Sequence, residues 1–217
     1  MKRGVAALLL IACVACACAR TVAGDPRAVG NRASSRLDLM LLSDAQINKI
    51  MGTTAMRTYR TYTDIPVQPG EVYSTPECAA VLFNTTVPAY GASGYVGARG
   101  KKIDADGIRS EVDQAVVGFE NSSAAETFVD AAKRAWRSCA GRNVTYTGTD
   151  GRRQPWLVGV PRTVGEITAS DNVTPDRWTC GHAMATRSDV VVDVDACGYD
   201  VTDQAVDIVK AIITVGQ

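Results

Sequence analysis

The stretch "WTCGHAMATRSDVVVDVDACG", residues 178 to 198, constrains the fold more than any other part of this 217-residue chain. It holds two of the seven cysteines and the sole histidine. Apolar residues alternate on both sides of Ser188-Asp189, the period of half-buried strands. A two-residue turn there sets Arg187 opposite Val190. Counting outward, His182 faces Asp195 and Cys180 faces Cys197. The closing pair exchanges hydrogen bonds and alternate pairs do not. The two cysteines therefore fall on a non-hydrogen-bonded pair, where Cα atoms approach to ~4.5 Å, within disulfide range. A four-residue loop from Arg187 to Val190 is the alternative, since Ser-Asp is not the Asn-Gly such turns prefer. It keeps the Cys-Cys pairing and swaps the hydrogen-bonding class. On either version Ala183, Ala185, Val190, Val192, Val194 and Ala196 share a core face. Trp178, Cys180, His182, Met184, Asp193, Asp195 and Cys197 point the other way.

Cys180, His182 and Cys197 also have the composition of a metal site. A structural zinc takes four ligands, and only Asp195 is at hand to complete the set. The start of the chain argues for oxidation instead. Lys2 and Arg3 precede an uncharged run from Val5 to Ala19, too short for the ~20 residues of a spanning helix and shaped like a secretory signal. An exported chain meets an oxidising compartment. We therefore expect a Cys180–Cys197 disulfide, no metal and no cofactor. With four cysteines in the body and that pair fixed, Cys78–Cys139 follows. On the chain-entropy account the longer loop contributes about 4 kcal/mol and the shorter about 3.

Cys13, Cys16 and Cys18 sit where such a signal is cut, which points to a lipoprotein with a lipid-modified N-terminal cysteine at the outer face of the membrane. Cleavage before Cys18 removes Lys2 and Arg3. The 23 basic and 23 acidic residues of the chain then become 21 and 23, a net charge of −2. No basic stripe stands out, so nucleic acid is not an expected partner. The expected organisation is a signal peptide over 1–17, a polar tether over 18–37 and one domain over 38–217. The tether, as a random coil, holds the domain roughly 25 Å from its anchor.

Within the domain, Ser43 and Gln46 have capping-box spacing, with Leu42 and Ile47 as the hydrophobic staple and Gly52 as the stop. Thr75-Pro76 starts a second helix, expected to run to about Thr86, before Pro88. Strands are expected near 93–103 and 109–120, with Asp106-Gly107 as the turn between them. Ser123 and Glu126 are read as the capping box of a long helix whose apolar stripe includes Ala125, Val129, Trp136 and Cys139. Strand-like pieces follow near 144–147, 155–160, 164–170, 178–186 and 190–196. A last helix over 203–215 turns Val206, Val209, Ile212 and Ile213 inward. The pattern defines an α+β domain: an antiparallel sheet with packed helices.

Familiar motifs fail on inspection. Gly94 to Lys101 resembles a phosphate loop, but Tyr95 stands where its first glycine belongs and Lys102 where Ser or Thr should be. Asp104-Ala105-Asp106-Gly107 resembles part of a calcium loop, but Lys102 occupies its first ligand position. His182 with Asp195 has the composition of a catalytic base and its orienting acid. That supports an envelope hydrolase as one alternative reading and a protein-interaction module as another. No residue is assigned a catalytic role.

The ordered set "LLSDAQINKIMG", "TPECAAVLF", "FVDAAKRAWRSCAGR", "RWTCGHAMATRSDVVVDVDACG" and "AVDIVKAII" resembles the PknH-like extracytoplasmic sensor-domain family of mycobacteria, from about residue 38 to 217. "CARTVAGDPRAV" resembles mycobacterial lipoprotein starts and places the lipid (palmitate) on Cys18, with Cys13 and Cys16 as alternatives. The resemblance implies a twisted antiparallel sheet, two disulfides and a cleft for an unidentified small molecule or lipid. It implies a free-standing, non-enzymatic lipoprotein without kinase activity, and leaves an envelope protein open as a partner. The family supplies no ligand residues. His182, Asp195 and Trp178 are candidates from this sequence alone.

Overall fold

The computed structural model of the chain describes residues 36–105 and 110–214. The signal, tether and lipidation expectations over 1–35, and the Asp106-Gly107 turn, lie outside them. Residues 36–40 are helical, and Leu37, assigned above to the tether, is buried with Met40 in the core. The folded body thus reaches back past the expected boundary at 38.

Ten strands among the described residues form a single antiparallel sheet. In chain order they are β1 (Arg57–Tyr62), β2 (Val72–Tyr73), β3 (Gly97–Ala105), β4 (Ser110–Gly118), β5 (Asn143–Thr147), β6 (Arg153–Leu157), β7 (Arg162–Val164), β8 (Ile167–Val173), β9 (Thr179–Arg187) and β10 (Val190–Gly198). Across the sheet the order is β1-β3-β4-β10-β9-β8-β6-β5-β2, with β7 beside β8. The helices are α1 (Asp44–Met51), α2 (Ala79–Leu82), α3 (Val87–Tyr90), α4 (Ser122–Cys139) and α5 (Gln204–Thr214). A 3₁₀ turn, Pro76–Cys78, leads into α2. The fold is α+β, as the patterning requires.

The central hairpin has the register read from the sequence. Arg187 pairs with Val190, His182 with Asp195 and Cys180 with Cys197. The turn is the two-residue one, which Ser188 permits by taking φ 55°. Cys180 and Cys197 are bridged, with Cα atoms 4.0 Å apart. Cys78 and Cys139 form the second disulfide. Both sulfurs of the supposed metal set are thus committed to each other.

Each sheet face carries its own core. The Ala183, Ala185, Val190, Val192, Val194, Ala196 face packs against α1 and α5, burying Leu42, Ile47, Val206, Val209 and Ile212. The α1 capping box is present, and Gly52 closes the helix with φ 69°. Gln114, fully buried on β4, accepts from Leu42 N at 2.8 Å and donates to Leu42 O at 3.0 Å, which fixes the chain's entry to α1. The other face lies under α2 and α4 and buries Cys180, Met184, Val191, Cys197, Trp136 and Trp156.

Strands β1 and β2 and the short α3 have no counterpart in the sequence reading, and three of the boundaries that differ have a plain physical cause. Asn121, not Ser123, caps α4, accepting from Ala124 N at 3.0 Å. Asn is as good a cap as Ser and stands two residues earlier. The expected strand over 164–170 is two strands, β7 and β8, folded back at Gly165 with φ 61°. The largest difference is the helix expected to reach Thr86. It stops at Leu82, Phe83 is extended, and Thr85 sits at φ 45° before the chain restarts as α3. That break builds the site.

Candidate functional site

The short helix α2 stops because side chains take its last carbonyls. Such carbonyls have no partner within a helix. Here Ala80 O accepts from Trp136 Nε1 at 2.8 Å. Val81 O accepts from Asn172 Nδ2 at 2.7 Å and faces His182 Nδ1 at 3.1 Å. The chain then turns its next two free amides to the sheet. Asn84 N donates to Asp195 Oδ2 at 2.8 Å, and Thr85 N to Asp193 Oδ2 at 3.0 Å. Asp193 and Asp195 are two apart on β10, so they share a face. Consecutive amides around a left-handed residue form a concavity suited to anions. A β-branched residue held left-handed costs on the order of 1–3 kcal/mol, and these charge-assisted bonds offset it.

His182 is the cation of this cluster. Its Nε2 lies 2.6 Å from Asp193 Oδ1, while Asp195, its register partner, is 3.9 Å from Nδ1. The main contact is thus the cross-strand diagonal rather than the directly opposed pair. Both ring nitrogens face acceptors, so both carry protons and the ring is an imidazolium. Burial opposes that charge. Asp195 and Asp193, helped by the hydrogen bonds to Asp193 and Val81, outweigh burial and raise the His182 pKa to about 9. The Trp136 ring covers it, centroids 4.3 Å apart, in a geometry open to cation–π attraction. His182 is 1% exposed and has no lone pair free to take a proton, which removes the basis for a His182–Asp195 catalytic base.

The network extends outward. Tyr90 OH donates to Asp193 Oδ2 at 2.9 Å, and Tyr62 OH to Asp113 Oδ1 at 2.7 Å. Lys102 Nζ pairs with Asp113 Oδ2. Tyr62 reaches Asp113 across Gly100, where a Cβ would stand 2.0 Å from its ring. This close passage is why a glycine interrupts β3. Burial, then the nearby carboxylates, holds the Tyr62 and Tyr90 hydroxyls well above their usual range, so both stay donors.

Asp195 differs from its neighbours. Burial, only partly countered by His182, pushes its pKa up to about 7. Its Oδ2 takes the Asn84 amide, but its Oδ1 has no hydrogen-bond partner among the described residues. Leaving a buried polar atom unsatisfied costs about 1–3 kcal/mol. Asp195 lines a cleft of about 1040 Å³. Strands from both ends of the sheet order supply its walls: Tyr59 and Arg60 from β1, and Val72 and Tyr73 from β2. The broken segment 83–88 forms another side, and Trp156, Trp178 and the Cys180–Cys197 bridge also border it.

Of the three sequence candidates, the structure brings Asp195 and Trp178 to the cleft and leaves His182 behind them, under Trp136. The sequence reading missed Asn84, Thr85, Tyr62, Asp113, Lys102 and Trp156, and placed Asp193 on the right face without a role. Two signals pointed to them. Asn84-Thr85-Thr86 stands just before a proline, a place where helices end. Two aspartates at alternate positions in a valine-rich strand require buried partners.

These features define an antiparallel α+β domain with two disulfides, a buried ion network and a cleft above it. A protein-family profile described as "PknH-like extracellular domain" matches residues 33–214, and the chain belongs to that family. It is 33% identical over 187 residues to the serine/threonine-protein kinase PknH of Mycobacterium bovis, covering 83% of this chain and 31% of the kinase. The figures for PknH of Mycobacterium tuberculosis H37Rv are the same, except that 29% of the kinase is covered. The chain thus spans about a third of the length of these relatives. The crystal structure of the extracellular domain of PknH from Mycobacterium tuberculosis superposes with a TM-score of 0.79 at 30% identity, covering 83% of this chain and 94% of that domain. The similarity is therefore to the extracellular part of those kinases. No helix among the described residues is long and apolar enough to cross a membrane.

Proposed function

We propose that the chain is a lipid-anchored, non-enzymatic sensor-type module of the cell envelope that binds a small molecule or lipid in the 1040 Å³ cleft. The lipid is placed on Cys18, with Cys13 and Cys16 as alternatives, and the polar stretch to about residue 35 serves as the tether. The observation that carries ligand binding is Asp195: a side chain 93% buried on the cleft wall, whose Oδ1 has the His182 ring at 3.9 Å but no hydrogen-bond partner among the described residues. Pockets that combine an apolar lining with a few convergent polar groups are the usual form of small-molecule sites.

Intact mass of protein from the membrane fraction of a mycobacterial host tests the anchor. A diacylated or triacylated N-terminal Cys18 is expected, and Cys18→Ala should release the protein from the membrane. An unmodified mature N-terminus would refute it. Native mass spectrometry tests the cleft. The protein from its own host should retain a non-covalent small-molecule adduct. Val87→Trp, a substitution at an exposed rim position, should lose it without changing the circular dichroism. Equal adduct retention in both proteins, or none in either, would count against the cleft.

A further inference from the structure

We infer that the ligand's inner end is a polyhydroxylated ring of saccharide type and its outer end is apolar. This rests on the cleft being the ligand site. Four buried side-chain polar atoms lack a hydrogen-bond partner among the described residues, and three belong to residues that line this one cleft: Trp156 Nε1, Thr86 Oγ1 and Asp195 Oδ1. Buried polar atoms in folded proteins are nearly always satisfied, so three on residues that line one cleft point to a partner within it.

The mixture sets the partner's chemistry. Trp156 Nε1 only donates, Asp195 Oδ1 only accepts once its carboxyl is ionised, above about pH 7, and the Thr86 hydroxyl does either. An ammonium group would satisfy Asp195 and leave Trp156 unmet. A carboxylate or phosphate would accept from Trp156 and, above about pH 7, be repelled by Asp195. A hydroxyl both donates and accepts, so a ring bearing several hydroxyls matches all three kinds of atom. Aromatic rings wall the same space. Phe83 stands edge-on to Trp156 at 5.6 Å and to Tyr146 at 5.1 Å, which offers apolar surface to the C–H face of a sugar.

The apolar end is read from exposure. The three unsatisfied side chains are at least nine-tenths buried. Tyr59, Val67, Val72 and Val87 border the same cleft at 43–72% exposure. Apolar side chains so open to water are ready to cover a hydrocarbon segment of the ligand. They surround a concavity rather than forming a flat patch, which favours an amphiphile over a protein surface.

Three probes with one tail and different heads test this: octyl β-glucoside, octyltrimethylammonium and octyl sulfate, each below its micelle concentration. They are titrated into the secreted, unlipidated Cys18→Ala chain. The readout is the indole N–H resonance of Trp156, assigned by its absence in Trp156→Phe, together with calorimetric affinity. We expect the glucoside to shift that resonance saturably. Trp156→Phe, which keeps the ring and removes the donor, should weaken glucoside binding about tenfold. Glucose alone should shift the same resonance more weakly. Saturation by the ammonium or sulfate probe with no response to the glucoside would overturn the saccharide assignment and leave the cleft as a ligand site. Equal glucoside affinity in wild type and Trp156→Phe would mean that the tail alone binds, and would also overturn it. No response of the Trp156 resonance to any of the three probes would count against the cleft itself.

Discussion

Replacing His182 with alanine is expected to destabilise the domain by about 3–5 kcal/mol, the range for removing one partner of a buried ion pair. The reason is what remains. Asp193 is fully buried and keeps its Thr85 and Tyr90 donors, but loses the only cation in contact with it among the described residues. Asp195 loses the positive charge at 3.9 Å that favours its ionised form. Trp136 loses the ring it covers, leaving a cavity beneath α4. The urea midpoint should fall by more than about 1 M. An unchanged midpoint would sink the structural role. The same residue sets the pH dependence. Its folded pKa of about 9 lies above the ordinary 6.5, so its contribution is complete below pH 6.5 and is lost as pH rises through 9. Asp195, raised to about 7 from 3.8, favours the folded state only while protonated, so stability also falls as pH rises from 4 to 7. The wild-type domain should thus be more resistant to urea at pH 6 than at pH 9. A wild-type optimum at pH 9 would contradict both assignments.

The features legible in the sequence are those whose causes are local. The capping box at Ser43, the period-two alternation through Ser188-Asp189 and the facing cysteines depend on spacing alone, and each takes the form the spacing requires. The core face of the hairpin was legible for the same reason. What covers its other face was not. Nothing within residues 178–198 shows that Trp136, about 40 positions earlier, lies over His182. Nor does the hairpin register reveal the diagonal His182–Asp193 contact, because strand twist decides which neighbour is nearer. The break after Leu82 is the sharpest case. Local propensity favours a helix through Ala79, Ala80, Val81 and Leu82. Carbonyl and amide partners on β8, β10 and α4 end it, at separations of 56 to 111 residues. The ligand-facing part of the molecule is assembled from those long-range contacts, and so was largely hidden.

The same break makes the Cys78–Cys139 bridge more than a staple. It joins residues separated by 61 positions, and its removal in Cys78→Ala/Cys139→Ala is expected to cost about 4 kcal/mol through the added freedom of the unfolded chain. It also fastens the turn before α2 to the last residue of α4. The segment that follows α2 carries the amides of Asn84 and Thr85, and Thr85 is left-handed, a conformation costly for a β-branched residue. Loss of the bridge should therefore loosen 79–86 as well as lower global stability. Hydrogen exchange at the Asn84 and Thr85 amides should speed up by a larger factor than exchange in β4 and β10, which open only with the whole domain. The Cys180–Cys197 bridge supplies the control. It links neighbouring strands already paired along nine positions, and its shorter loop contributes about 3 kcal/mol. Its removal should lower stability without selectively exposing Asn84 and Thr85. If the two double mutants show the same exchange pattern, the Cys78–Cys139 bridge does not hold the cleft wall in place. If the pattern differs as expected, the cleft's acceptor geometry is maintained by covalent clamping of one strained segment.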